Sequence, residues 1–340
     1  MDLQQRINAF DQLGQKISGW LATGDPDFDT LVETSKHHNG WFKPQMVRFA
    51  FDGWANLLTK EALNEWLSTY NMGQEDPKTI AIIMAGNIPL VGFHDLLSVL
   101  LCGHRALVKL SSNDNILLPF LIKSLVEIEP AFDDRVTFTE DRMKGFDAVI
   151  ATGSNNTARY FEHYFGKYPN IIRKNRNGVA VLDGTETKQQ LEDLAQDVFR
   201  YYGLGCRNVS KVYLPRDYNF DQFFGGMYSC KEVIEDAKYM NNYDYNKAVY
   251  LMSEIPLLDN EFMLLKEDNA YGSPISVVHY QFYSSLEEVQ TQLKTDAKQV
   301  QCVVGALGWE HMLDFGEAQV PGLADYADGV DTVKFLMELA

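Results

Sequence analysis

From Pro77 onward, short β-branched runs alternate with stretches of helical periodicity, and few folds can accommodate that rhythm. TIAIIMAG (79–86) precedes a helical stretch at 91–102, ALVKL (106–110) precedes one at 116–128, and VTFT (136–139) follows. DAVIATG (147–153) leads to a helix at 156–165, and VAVLDG (179–184) to a helix at 188–202. Strands separated by helices of this length predict a parallel sheet covered on both faces. Ligands in such sheets bind beyond the carboxyl ends of the strands. The polar and glycine-rich segments fall there: GN at 86–87, KLSS at 109–112 and TGS at 152–154. A second series begins at VSKVYLP (209–215) and continues through ISVVHY (275–280), a helix at 286–293 and VQCVVGA (300–306). The tail DTVKFLMEL (331–339) reads as a strand that returns to the first sheet or pairs with another subunit. No internal repeat, low-complexity tract or long linker interrupts the pattern.

Ahead of the sheet, Leu3, Ile7, Phe10, Leu13, Ile17 and Leu21 recur at three- and four-residue steps, which puts them on one helix face. Trp20, Trp41, Trp54 and Trp66 lie in the same region and suit either a small helical core or a lid. A length of 340 residues suggests two compact domains. The 47 acidic and 30 basic residues give a net charge of −17, so phosphate backbones and anionic lipid are poor partners. An anionic ligand must then be held by local Lys or Arg and by backbone amides. No basic n-region opens the chain and no apolar run approaches the roughly 20 residues of a membrane span, so it reads as cytoplasmic, without signal peptide or transmembrane segment. The four cysteines, Cys102, Cys206, Cys230 and Cys302, form no CxxC pair, so neither a metal site nor a disulfide framework is expected.

Neither GxGxxG nor GxxxxGK[ST] occurs. Four other pieces do, in order: MAGNIPL (84–90), RALVKLSS (105–112), VIATGSNNTARYF (149–161) and YYGLGCRNVSKVYLP (201–215). A cysteine between a helix and a strand is a candidate nucleophile when its surroundings favour the thiolate. Cys206 has Arg207 beside it, and Gly203 and Gly205 let a substrate approach the backbone. Cys102 and Cys302 sit in apolar patterns that suit buried structural residues, and Cys230 has no supporting motif.

This order of motifs resembles the aldehyde dehydrogenase superfamily, whose motifs run WNFP, VVLKPSE, FTGS and GQxC followed by a strand. Within it, the segments 39–67 and 315–336 resemble bacterial acyl-CoA reductases of the LuxC type, which make fatty aldehyde. The resemblance implies an aldehyde-dehydrogenase-like α/β fold: two parallel-sheet α/β domains with a helical N-terminal segment. The corresponding division is a helical segment at 1–76, a nucleotide-binding domain at 77–202, a catalytic domain at 203–325 and a C-terminal strand at 326–340. The chain is shorter than typical members, so parts of the usual N-terminal or oligomerisation segments are expected to be missing. The tail resembles the family's subunit-bridging strand, which implies a homo-oligomer. The tryptophan-rich region could then wall a long acyl chain.

The resemblance also assigns roles. Cys206 becomes the nucleophile toward an acyl thioester. Asn87, otherwise a turn residue before Pro89, takes the place of the oxyanion asparagine, with the Cys206 amide as second donor. Lys109 falls where a lysine meets the adenosine ribose. The glutamate that the family often places three residues later is Ser112 here, which removes a like-charge clash with a 2′-phosphate; Lys109, Ser111 and Ser112 could all face that phosphate. NADPH is therefore expected, with NADH possible. Gly153 and Ser154 match the residues that meet the pyrophosphate at a helix N-terminus, where Ser154 would equally serve as N-cap. Asn269, in NAYGSP (269–274), replaces a glutamate near the nicotinamide ribose. The base-bearing ELGGK motif corresponds to 171–184, which has no carboxylate before Asp183. Without a general base an acyl-enzyme resists water, so the expected reaction is reduction of an acyl-CoA or acyl-carrier thioester to an aldehyde. An acyl-transferring partner subunit is a further expectation. Arg173, Lys174 and Arg176 could meet CoA phosphates or form a solvated turn. The alternatives are a hydrolytic aldehyde dehydrogenase, an acyl-phosphate reductase, or a non-catalytic subunit of a larger complex.

Overall fold

The computed structural model describes residues 1–72 and 76–339; residues 73–75, within the expected N-terminal segment, and Ala340, at the end of the tail, lie outside the described residues. The chain divides into two compact units, one of Met1–Lys174 with Gly322–Ala340 and one of Asn175–Pro321.

The first unit opens with four helices: α1 (Leu3–Thr23), α2 (Pro26–His38), α3 (Pro44–Leu57) and α4 (Lys60–Leu67). Asp2 and Gln5 form a capping box that starts α1. Its apolar stripe, Ile7, Phe10, Leu13 and Ile17, is wholly buried. The glycine at 14 is required, because a Cβ there would stand 2.3 Å from the Leu58 carbonyl oxygen. Trp20 stacks on Phe28 at 5.4 Å, and Phe28 meets Phe51 edge-on at 5.0 Å. The same apolar core runs on under the sheet, so the tryptophans of this region are packed against it.

That sheet contains β1 (Thr79–Ile83), β2 (Arg105–Lys109), β3 (Val136–Phe138), β4 (Ala148–Thr152) and β5 (Asn170–Arg173), with α5 (Phe93–Leu101), α6 (Leu117–Ile128) and α7 (Asn155–Phe165) between them. All pairings are parallel and the order is β3-β2-β1-β4-β5. The direction of strand addition therefore reverses between β1 and β4.

The second unit holds β6 (Asn177–Val181), α8 (Lys188–Phe199), β7 (Val209–Pro215), α9 (Phe220–Met227), α10 (Ala237–Met252), β8 (Leu258–Asp259), β9 (Leu264–Glu267), β10 (Val277–Tyr283), α11 (Leu286–Thr295), β11 (Val300–Val304) and β12 (Met312–Leu313). The order is β12-β11-β6-β7-β10-β9-β8, parallel except for the β8–β9 pair. The strand that the sequence attached to the first series thus lies inside the second sheet. The reason is chain length: only residues 174–176 separate β5 from β6, whereas a parallel neighbour needs a crossover of about a dozen residues.

The tail corrects another expectation. Residues 331–339 form no strand; they form the helix α12 (Thr332–Met337), packed on α5 in the first unit. The Asp331 side chain caps it by accepting from the Lys334 amide, and Val333 and Leu336, one turn apart, are buried. The Leu336 carbonyl accepts from His104 Nε2 (3.1 Å), since His104 Nδ1 is itself an acceptor from the Lys78 amide. Asp331 accepts from the Tyr70 hydroxyl (2.8 Å), and Tyr326 accepts from Trp66 Nε1 (2.7 Å). Beneath the tail, Arg173 pairs with Asp95 and donates to Thr332 Oγ1 (3.0 Å). Among the described residues no helix is long and apolar enough to cross a membrane.

In the second unit a loop after β12 is fastened to α8. The Asp197 carboxylate accepts from the amides of Gly316 (2.7 Å) and Ala318 (2.9 Å) while wholly buried. Burial pushes its carboxyl up to about 6, against the opposing pull of the two amides.

Two consequences are measurable. Removing Asp95 takes away the carboxylate paired with the buried Arg173 guanidinium, so D95A should cost about 3–5 kcal/mol in urea unfolding. The folded pKa of Asp197 lies above its unfolded value, so its contribution to stability grows as pH falls through about 6. The stability advantage of the wild type over D197N should therefore be larger at pH 5 than at pH 7, by on the order of 1 kcal/mol.

Candidate active site

Cys206 follows a stretch of backbone that most side chains avoid. After α8 the chain passes through Tyr201 (φ 54°), Tyr202 (φ 57°) and Gly203 (φ 76°), all left-handed. Such a conformation costs a non-glycine residue roughly 1–3 kcal/mol. Both tyrosine rings are buried, and Asn208 secures the backbone around them. Asn208 Nδ2 donates to the carbonyls of Asp197 (3.0 Å), Val198 (3.3 Å) and Arg200 (2.7 Å). Its Oδ1 accepts from the Gly205 amide at 2.7 Å, and its own amide donates to the Gly205 carbonyl at 3.1 Å. Cys206 stands exposed at the tip of the turn so formed. Below it, Gly178 on β6 lets the turn sit close, since a Cβ there would lie 2.5 Å from the Arg207 carbonyl oxygen.

The other cysteines are half-buried. The Cys302 thiol faces the Arg207 carbonyl at 3.6 Å, and burial pushes the Cys230 thiol up. The Arg207 side chain is not simply a charge beside the sulfur, as its place in the sequence suggests. Its Nε donates to the Ala318 carbonyl, so it ties the loop after β12 to the Cys206 turn.

The nearest carboxylates in sequence, Asp183 at the end of the segment 171–184 and Glu186 just after it, lie at the other end of the sheet. β6 and β7 run parallel, with Gly178 beside Val209 and Val181 beside Tyr213. Asp183 and Glu186 follow the carboxyl end of β6, while Cys206 precedes the amino end of β7, with at least about 10 Å of strand between. Glu186 is further occupied by the amides of Asp183 (2.6 Å) and Gly184 (3.2 Å), and burial holds it above the usual carboxylate range.

Asn269 is exposed after β9, and its carbonyl accepts from Lys211 Nζ at 2.8 Å. The segment then runs back along the sheet: the Tyr271 carbonyl accepts from Ser210 Oγ (2.8 Å), and Ser273 and Ile275 line a small cleft with Tyr202 and Gly203.

In the first unit, the remaining site residues meet at the carboxyl ends of three adjacent strands. Beyond β1, Asn87 is exposed on a loop in which Leu90 is left-handed (φ 57°). The Leu90 amide donates to Asp114 Oδ2 at 2.9 Å, and burial pushes Asp114 up to about 6. Beyond β2, Lys109 Nζ donates to the carbonyls of Glu140 (3.0 Å) and Asp141 (3.4 Å). Ser111 accepts from the Asn113 amide and packs against Gly86, where a Cβ would stand 2.6 Å from its Oγ; Ser112 is exposed. Beyond β4, Gly153 leads into Ser154, which caps α7 by accepting from the Thr157 amide (3.2 Å). This edge straddles the reversal of strand order between β1 and β4, where parallel sheets receive nucleotides. Hydroxyls, a lysine and a helix N-terminus form a donor set that suits phosphate and ribose oxygens. Arg173 is no part of it, being buried against Asp95, and Lys174 pairs with Glu162.

Asp114 and Asn208 escaped the sequence reading, although each brings a loop-bearing site residue into place. Their local signal is only that of a turn-forming Asp or Asn; their partners become visible in the folded chain.

A family model described as acyl-CoA reductase (LuxC) matches residues 42–222. A long-chain acyl-protein thioester reductase of Aliivibrio fischeri is 23% identical over 292 residues, covering 75% of this chain and 59% of that protein. Long-chain acyl-protein thioester reductase 2 of Photobacterium leiognathi is 19% identical over 235 residues, covering 63% and 48%. The chain therefore matches roughly half the length of these relatives. Among solved structures, aldehyde dehydrogenase 21 of Physcomitrella patens, in complex with succinate, aligns with a TM-score of 0.73 at 14% identity, over 99% of this chain and 84% of that one. An NAD+ complex of a Bacillus cereus aldehyde dehydrogenase aligns at 0.62 and 14% identity, over 86% and 69%. At such identities the likeness establishes the fold, which is that of the aldehyde dehydrogenases. With more than half of its length matched by the family model, the chain belongs to the acyl-CoA reductase (LuxC) family.

Proposed function

We propose that this chain reduces the acyl group of a thioester to an aldehyde, using NADPH and an acyl-enzyme on Cys206. The observation that carries this reading is an exposed cysteine on a turn that Asn208 and Gly178 hold in place, with the carboxylates after β6 at the opposite end of the sheet.

The chain's own residues account for the acyl transfer. The Cys206 thiolate attacks the thioester carbonyl carbon, a new C–S bond forms, and the carrier leaves as its thiol after taking a proton. The oxyanion formed on the way is assigned to the Asn87 carboxamide and the Cys206 amide as donors. Lys109, Ser111, Ser112, Gly153, Ser154 and Asn269 would hold the nicotinamide nucleotide, which supplies hydride when bound. Deacylation by water is slow because no base is assigned to activate it, and collapse of the thiohemiacetal on Cys206 releases the aldehyde. Ser112 supports NADPH, because no carboxylate stands at that position to repel a 2′-phosphate. One observation favours NADH as a second reading: Lys109 already donates to the Glu140 and Asp141 carbonyls, so fewer of its protons face a phosphate.

The test begins with acyl-CoAs of several chain lengths and acylated carrier protein, followed by intact-mass measurement. The wild type should gain one acyl group and C206A none, and N87A should acylate on the order of 100-fold more slowly. Adduct on C206A, or wild-type oxidation of aldehyde to free acid without CoA, would overturn the reading. Release of the adduct should need less NADPH than NADH, and S112E should move that preference toward NADH. Equal or better release by NADH in the wild type would place the preference there.

A further inference from the structure

Lys211, in the middle of β7, has no exposed surface. A buried ammonium persists only where its protons are answered. Nζ donates to the Asn269 carbonyl (2.8 Å) and to Gln281 Oε1 (2.7 Å), and the rings of Tyr213 and Tyr271 are each centred 4.9 Å away.

Lys211 is one of a row. It lies opposite His279 on β10, and His279 lies opposite Lys266 on β9. Residues paired across parallel strands project from the same face, so three basic side chains line up there. The segment after β9 gives up an acceptor to each. The Asp268 carboxylate pairs with Lys266, the Asn269 carbonyl takes Lys211, and the Ala270 carbonyl takes His279 Nδ1 (3.0 Å). Three consecutive residues are thereby fixed by their acceptors, while the Asn269 residue stays exposed.

We propose that Lys211 is a positioning residue, which clamps the Asn269 backbone so that the Asn269 carboxamide is preset for the ribose of the nicotinamide nucleotide. The inference rests on the reductase reading for the ligand and on the geometry above for the clamp. The charged and titratable groups around Lys211 are Asp268 after β9, Asp296 after α11, His279 on β10, Lys266 on β9, Tyr271 on the clamped segment and Tyr213 on β7 itself. Burial lowers the ammonium to about 8, with Asp268 and Asp296 opposing. As pH rises through that value the clamp loses its charge, and the bond to the Asn269 carbonyl weakens.

Amide hydrogen exchange of 268–273, corrected for intrinsic rates, reads the clamp directly, and titration with NADPH and NADH reads its effect on binding. In the wild type, exchange should quicken and nucleotide affinity fall by about tenfold between pH 7 and pH 9, the scale of losing a hydrogen bond to a charged group. K211R, which stays charged, should lose that pH dependence in both measurements. K211M should behave at pH 7 as the wild type does at pH 9, while still acylating Cys206. The comparison of wild type with K211R stands even if K211M fails to fold. Equal exchange in wild type and K211R at both pH values, or an unchanged alkaline fall in affinity in K211R, would overturn the proposal. A wild type that binds neither nucleotide yet shows the expected exchange would sink the reductase reading and leave the clamp in place.

Discussion

A helix that stops leaves its last carbonyls without partners, and at the end of α8 the Asn208 carboxamide takes up that role. Its two protons are shared among the carbonyls of Asp197, Val198 and Arg200, and its oxygen holds the Gly205 amide. One side chain thereby ends the helix, steadies two left-handed tyrosines and closes the turn that carries Cys206. The fastening of the loop after β12 extends the same assembly. Asp197 holds that loop from α8, and Arg207 holds it from the cysteine turn. With Asn208 replaced by an apolar residue, the carbonyls of Asp197, Val198 and Arg200 would lose this donor and the strained tyrosines would lose their brace.

The first unit repeats the device with different chemistry. Leu90 is left-handed, as are Tyr201 and Tyr202, and a side chain from a neighbouring loop holds it. There the holder is Asp114, a buried carboxylate on the Leu90 amide. In both units the exposed residue of chemical interest, Asn87 or Cys206, sits within a few positions of backbone that would relax if its partner were removed. Strain of this kind survives only where the surroundings over-determine it.

Much of this was legible from local pattern. Strands β1, β2, β4, β7 and β11 announce themselves as β-branched runs, and the edge residues Lys109, Ser112 and Ser154 follow from strand ends. Cys206 stood out through its glycines and its place between helix and strand. What escaped depends on partners distant in sequence. β5 is a short NIIR ahead of a polar stretch, and β6 changes sheets because the link between them is too short. The apolar residues of the tail fit a strand until Asp331 is seen capping a helix. Arg173 reads as one of three basic neighbours; its partner Asp95 lies 78 residues earlier.

The route of the chain through its two units has a consequence in time. The first unit is interrupted after Lys174 and resumes at Gly322, so its last helix emerges from synthesis only after the whole of the second unit. Until then Thr332 is missing from the Arg173 and Asp95 pair, Leu336 from His104, and Tyr326 from Trp66. A nascent chain would hold a nearly finished first unit open, with α5 partly uncovered, while residues 175–321 form. Domains generally fold N-terminal first during synthesis; this chain can complete its first unit only once the whole of its second has been made.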